Sequence, residues 1–491
     1  MAMESTAPLA DSPQPAASGW RQSRPLAATL FALALLPALV QWNRVGFHPE
    51  ALVRSDALSY IAGGMALEAG LNVHDDYSIP TEGKIITARP FLYHPAAAAW
   101  CAAANRWLPS PRAVYWAAQF LGVALLSAGV WAAAKAYGLG LGGRTLALLA
   151  LWMTGGARQG LIQGNVSLAV AGLALLGAAD LARGREARAG LAWGLASLLK
   201  PAYALGWVLL ALFWRDGRPR RKWAFLGAWA LTHVLFALTA LIKPDTLSDF
   251  AAQLFDRSAK SWAVVYEDGS VHSLVLTLCS PGEKPWPSRI QLGHHTADSV
   301  RGTLEHPALP WANGISRGAF AALLVAVFWR RRALKNRPDA LLGLSLALGF
   351  AVQPLSWTHN YGALLLLPLA LGSGGMMFRE RAPAALESEP PSRRRVWLAW
   401  GLVFLALATP GRLLAPGGLL AKALQAFGGH PLDFHGTIWA LAILDNLAVL
   451  GLIALALWPG SWRASDALAP STAPPEDPNK KTGAPAKDAP A

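Results

Sequence analysis

Five short polar motifs interrupt an otherwise apolar chain, and they hold most of the groups able to do chemistry. Asp56 and Tyr60 lie in Arg54-Ser-Asp-Ala-Leu-Ser-Tyr60, and Tyr93 and His94 in Arg89-Pro-Phe-Leu-Tyr-His-Pro95. Gln163 and Asn165 flank one glycine, and Lys200 precedes Pro201. Trp357 and His359 lie in Gln353-Pro-Leu-Ser-Trp-Thr-His-Asn-Tyr361. A carboxylate such as Asp56 can take a proton from an attacking hydroxyl. Lysine, arginine and histidine can offset negative charge that develops in a reaction.

Each motif also has a plainer use. Asp56 reads equally as a helix N-cap or a solvated carboxylate. Tyr93 and Trp357 suit an aromatic belt, and Gln163 and Asn165 suit polar contacts between helices. Lys200 can reach toward lipid head groups. The proline beside it and the short apolar runs on either side mark a broken hairpin instead, where an ionisable group points to function.

The elements that must position these groups are membrane helices. Of 491 residues, 54% are hydrophobic and 15% charged, where soluble domains carry about 25% charged residues. The net charge of +14 does not indicate a nucleic-acid partner. The cations gather in short segments between apolar runs, at 183–188, 215–222, 330–332 and 393–395, as cytoplasmic loops do. The runs are Leu- and Ala-rich without a period of two, so helices rather than barrel strands cross the bilayer.

The expected fold is therefore all-α, a polytopic membrane protein with about twelve transmembrane helices. Candidate crossings are 25–42, 93–110, 113–136, 160–182, 187–199, 202–214, 223–242, 313–330, 338–353, 359–378, 396–411 and 436–458. The short run 143–156 reads as a re-entrant or partial helix. The first run reads as an uncleaved signal anchor.

Three regions follow: a disordered cytoplasmic segment 1–22, a membrane domain 23–462 and a disordered cytoplasmic tail 463–491. Loops 43–92, 243–312 and 412–435 fall outside, with both termini in the cytoplasm. Within 43–92, the pieces 50–69 and 84–92 fit short helices along the interface. Loop 243–312 is too long for a bare connector. This topology gathers all five motifs on the outer face. Cys101 and Cys279 form no disulfide framework. Asp75-Asp76 and His294-His295 lack metal-ligand spacing.

In this order the five motifs resemble the GT-C superfamily of polyprenyl-phosphate-dependent glycosyltransferases, and most of all its family 87, which includes mannosyltransferases. The resemblance spans about residues 26–380. It rests on Asp56 with Tyr60, Phe91-Leu-Tyr-His-Pro95, Gln163-Gly-Asn165, Leu198-Leu-Lys-Pro201 and Gln353-Pro-Leu-Ser-Trp-Thr-His-Asn360. Gln353 stands where serine is usual, Asn360 where a second histidine is usual, and 72–86 resembles an insertion.

The resemblance implies a GT-C-like fold and transfer of a sugar, mannose before others, from a polyprenyl phosphate to a lipid-linked or glycan acceptor. Transfer would take place on the periplasmic face of a bacterial inner membrane. It implies Asp56 as the base of a single inverting displacement, with Lys200, Arg89 and His359 on the donor phosphate. Tyr60, Tyr93, His94, Gln163, Asn165 and Trp357 would position substrates. No cofactor and no metal are called for, because basic side chains can offset one leaving phosphate. The expected partners are donor, acceptor and membrane lipids. The rival readings are a transporter or lipid flippase of envelope glycolipid biosynthesis, and a non-catalytic assembly protein.

Overall fold

The computed structural model describes residues 24–46, 52, 56–73, 77–81, 84–88, 94–215, 219–238, 248–251, 270–279, 308–352, 358–373, 393–408 and 434–458. In chain order these form α1 (Arg24–Gly46), α2 (Ala57–Glu68), β1 (Tyr77–Thr81), β2 (Lys84–Ala88), α3 (Pro95–Trp107) and α4 (Pro111–Ala136). Then come α5 (Leu141–Trp152), α6 (Gly155–Gln163), α7 (Ser167–Ala182), α8 (Glu186–Leu199), α9 (Leu205–Phe213) and α10 (Pro219–Ala237). The remaining helices are α11 (Val271–Cys279), α12 (Leu309–Trp329), α13 (Pro338–Val352), α14 (Leu366–Gly372), α15 (Arg393–Ala408) and α16 (Phe434–Leu457). Two 3-10 segments, Pro201–Ala204 and Thr358–Leu365, precede α9 and α14.

Among the described residues the fold is all-α apart from one antiparallel hairpin, in which Ile79 pairs with Ile86. That hairpin corrects one expectation. Residues 84–88 form a strand, not an interfacial helix, and the β-branched run Ile85-Ile-Thr87 favours an extended chain. Within the other piece, 50–69, the described residues form the helix α2.

Among the described residues, three helical spans are long and apolar enough to cross a membrane unaided: Pro25–Asn43, Pro111–Ala136 and Pro310–Trp329. Several other apolar helices, such as Leu141–Trp152, Ser167–Ala182 and Pro338–Val352, are shorter, and the count of about twelve is not established. Helix α1 turns Leu33, Leu36, Leu39 and Val40 outward. Only lipid makes such a surface inexpensive. On α12, Trp311 and Trp329 are both strongly exposed. At 1.5 Å per residue they stand about 27 Å apart, close to the thickness of a hydrocarbon core. The chain is a membrane protein.

Small residues bring the central helices together. A Cβ on Gly129 would lie 2.5 Å from the Gly172 carbonyl oxygen, and one on Gly190 would collide with that of Phe225. Close backbone approach of this kind is how membrane helices gain packing energy.

These contacts also fix direction. Tyr115 meets Gly164, Gly129 meets Gly172, and Arg183 reaches the Ala132 carbonyl, so α4 and α7 run parallel. Likewise Glu186 pairs with Arg221, Gly190 meets Phe225 and Ser197 meets His233, so α8 and α10 pack on each other and run parallel, α9 linking them in sequence.

Two expected crossings change as a result. Helix α3 does not cross, because Tyr115 near the start of α4 already sits beside Ala57 and Gly164 on the Asp56 face. With 13 residues it is only about 20 Å long. Asn105 and Arg106 tie it to Ile61 and Glu68 of α2 on that face.

The missing crossing is supplied by α5 and α6. Trp152 bonds Ser127 halfway along α4, and Leu161 and Ile162 lie beside Gln119 and Tyr115 near its start. The run read as a re-entrant or partial helix is thus the second of these alternatives, the first half of a crossing broken at Met153-Thr154. Thr154 caps the second half through Ala157 N.

The opposite face gathers the basic loops. Arg215 N donates to the Lys335 carbonyl, and Arg330 Nε to that of Leu457. With the Glu186–Arg221 pair, these bonds bring together described residues of three segments that charge had grouped, 183–188, 215–222 and 330–332, and add the end of α16.

Candidate active site

The site is built on the C-terminal end of α6. A helix leaves its last four carbonyls without intrahelical partners, and here other groups take them. Asn165 N donates to Gly160 O at 3.1 Å, and Gln119 Nε2 donates to Leu161 O at 2.6 Å. Tyr115 Oη donates to Ile162 O at 3.1 Å, and Asp56 N donates to Gln163 O at 2.8 Å. The last of these bonds fixes where Asp56 sits, 107 residues away in sequence from the helix that receives it.

Gly164 makes the approach possible. Its φ of +58° is the left-handed conformation that glycine adopts without strain. A Cβ there would lie 2.6 Å from the Tyr115 ring and 3.1 Å from Ala57 Cβ. Glycine therefore serves both the turn and the close packing of α2 against it.

Asp56 stands at the N-cap position of α2, yet its side chain makes no capping bond. Its Oδ2 instead accepts from Asn165 Nδ2 at 2.6 Å. Asn165 is held in turn, because its Oδ1 accepts from Ser167 N at 2.8 Å and Ser167 Oγ at 2.5 Å. The hydroxyl of Tyr60, one turn into α2, accepts from Val166 N at 3.2 Å. The carboxylate is half-buried, and among the described residues no cation comes within ion-pair distance of it.

Lys200 belongs to the same corner. The Asp56 carboxylate acts electrostatically on its ammonium. The lysine ends α8 in an extended conformation, φ −137° and ψ +101°, which the following proline enforces. Pro201 then opens the short 3-10 turn that leads into α9. The broken hairpin read from the sequence is present, and the lysine sits at the break.

The other candidates divide. His94 caps α3, with Nδ1 accepting from Ala96 N at 3.1 Å, and its ring packs edge-on against Phe250. Gln163 contributes its backbone carbonyl to Asp56, while its buried side-chain Oε1 has no hydrogen-bond partner. His359 lies in the 3-10 segment Thr358–Leu365, which packs on α6 and α7; its side chain lies outside the described residues. Arg89, Tyr93 and Trp357 also lie outside them, as do Asp75, Asp76, His294 and His295.

Sequence reasoning missed Tyr115, Gln119 and Ser167. The first two had a signal: two polar groups four apart inside an apolar run share one helix face. Ser167 is polar two residues beyond Asn165, at the start of an otherwise apolar helix.

An open carboxylate and a lysine at one corner of a membrane helix bundle can serve proton removal and the binding of an anionic group. The model of glycosyltransferase family 87 matches residues 91–354, more than half of the chain. The chain belongs to glycosyltransferase family 87 and is a membrane glycosyltransferase. The match includes Tyr93, His94, Gln163, Asn165 and Lys200, and it begins after Asp56. No curated protein matches the chain. Among solved structures it is similar to ArnT from Cupriavidus metallidurans in the apo state, at 16% identity and a TM-score of 0.37, over 88% of this chain and 76% of that one.

Proposed function

We propose that the protein moves a sugar, mannose before others, from a polyprenyl phosphate to a lipid-linked or glycan acceptor on the outer face of a bacterial inner membrane. The observation that carries this reading is the Asp56 carboxylate. It is released from capping, held by Asn165 and close enough to Lys200 to act on its charge.

In the reaction, Asp56 takes the proton of the acceptor hydroxyl while that oxygen attacks the anomeric carbon. The bond from that carbon to the phosphate oxygen breaks, its electron pair stays on the phosphate, and configuration inverts. A base in this role contributes about 10²- to 10⁴-fold. Lys200 offsets the charge gained by the departing phosphate, where electrostatic stabilisation is worth most. Arg89 and His359 share that task. Tyr60, Tyr93, His94, Gln163, Asn165 and Trp357 position the substrates or the loops that hold them. Both termini lie in the cytoplasm, on the face where the basic loops meet.

Purified protein incubated with labelled polyprenyl-phosphate-mannose and a panel of glycolipid and glycan acceptors tests the reading. The expected outcome is a labelled glycosylated product. Movement of the lipid across sealed vesicles, with no product from any acceptor, favours a flippase instead.

A further inference from the structure

Gln119 and Gln159 are both buried glutamines of this core, at 2% and 5% exposure, and only one of them is used up by the fold. Gln119 accepts from Trp42 Nε1 at 2.9 Å and donates to Leu161 O at 2.6 Å, so both ends of its amide are engaged. Gln159 has a buried Oε1 with no hydrogen-bond partner among the described residues. The same is true of Oε1 of Gln163, one helical turn further on.

A spacing of four places the two side chains on one face of α6. That helix is short and rigidly held: Thr154 caps its start, and Tyr115, Gln119 and Asp56 hold its end. It packs against the 3-10 segment Thr358–Leu365, which begins within the Ser356-Trp-Thr-His359 motif. Buried polar atoms in folded proteins almost always find partners, and an exception calls for a reason. Two exceptions in a row, leading away from the turn that carries the carboxylate, share one.

We infer that Gln159 is a further substrate-positioning residue, whose amide oxygen continues the Gln163 acceptor one turn deeper and receives a sugar hydroxyl. The inference rests on the glycosyltransfer reading and extends it to a specificity contact. A bound hydroxyl supplies the donor that the fold withholds. A sugar lacking that hydroxyl leaves the acceptor desolvated and unpaired, which is how a buried polar site discriminates. The hydroxyl can come from the donor's sugar or from the acceptor's.

Equilibrium binding separates these cases. The probes are polyprenyl phosphate alone, polyprenyl phosphate carrying mannose, glucose or arabinose, and an alkyl mannoside as acceptor. Gln159→Met keeps the volume and removes the amide; Gln159→Leu gives the same readout should the first variant not purify. The expected result is a Kd for one sugar-bearing ligand about tenfold weaker than in the wild type, with bare polyprenyl phosphate bound equally by both proteins. A change confined to the polyprenyl-linked sugars assigns the hydroxyl to the donor, and a change confined to the alkyl mannoside assigns it to the acceptor. Unchanged Kd values for every ligand overturn the inference and leave the amide to a buried water alone. If the wild type binds no polyprenyl phosphate at all, the glycosyltransfer reading itself fails and takes this inference with it.

Discussion

Asp339 and Asp56 sit at opposite ends of the bundle, and the protein treats the two carboxylates differently. Asp339 is 1% exposed and closed. Arg337 holds it with Nε at 3.1 Å and Nη2 at 3.0 Å, and the same Nη2 reaches Ala370 O at 2.6 Å. Two planar groups meet in a fork, and the spare donor goes to a helix carbonyl. Asp56 is half-buried and accepts one amide, with a lysine within electrostatic reach and no ion pair among the described residues. The first carboxylate has its capacity spent on architecture. Among the described residues the second keeps acceptor capacity in reserve, which is what the proposed base needs.

This contrast sets the order of expected effects. The largest is on rate: Asp56→Asn keeps the shape and loses the base, so transfer falls by about 10²- to 10⁴-fold while the thermal midpoint stays near that of the wild type. Next is a stability effect at the closed site. Asp339→Ala leaves Arg337 buried without its carboxylate, at a cost of about 3–5 kcal/mol. Thermal unfolding in detergent shows this as a lowered midpoint, with turnover per folded molecule unchanged.

Lys200→Ala comes third. It lowers turnover of the polyprenyl-phosphate donor with little change in acceptor affinity, as steady-state kinetics with each substrate varied in turn can read. Kinetics unchanged in both arms remove Lys200 from the site. The smallest change in atoms is Gly164→Ala, which forces a left-handed residue with a side chain against Tyr115 and Ala57. It costs about 1–2 kcal/mol of local strain and shifts Asp56 with it, so both midpoint and rate fall together. A fall in midpoint alone shows that the turn does not position the carboxylate.

The two regions were not equally legible in the sequence. Asp56, Asn165 and Lys200 stood out because polar groups are costly in an apolar chain, and their order followed a known pattern. Pro201 announced the break that carries the lysine. Asp339 did not stand out, since an acidic residue just after Arg337-Pro338 reads as an ordinary helix start. Its burial depends on α14 supplying the Ala370 carbonyl, a contact 33 residues distant that no local pattern encodes.

The topology shows the same limit. Charge counting grouped the basic loops, because charge bias is a local property summed over loops. It misplaced the second crossing, because whether α3 dips into the membrane depends on Asn105 and Arg106 finding partners on α2. The broken crossing made by α5 and α6 was hidden for a related reason. Each half is too short to register as a span, and only their packing along α4 reveals one path.

The central claim is that the open carboxylate does the chemistry and the closed one holds the fold. Single-turnover transfer and thermal midpoint, measured side by side on purified wild type, Asp56→Asn and Asp339→Ala in the same detergent, test it most directly. The account expects Asp56→Asn to lose at least about a hundredfold in rate at an unchanged midpoint, and Asp339→Ala to lose midpoint at an unchanged rate per folded molecule. Near-wild-type transfer by Asp56→Asn would contradict it.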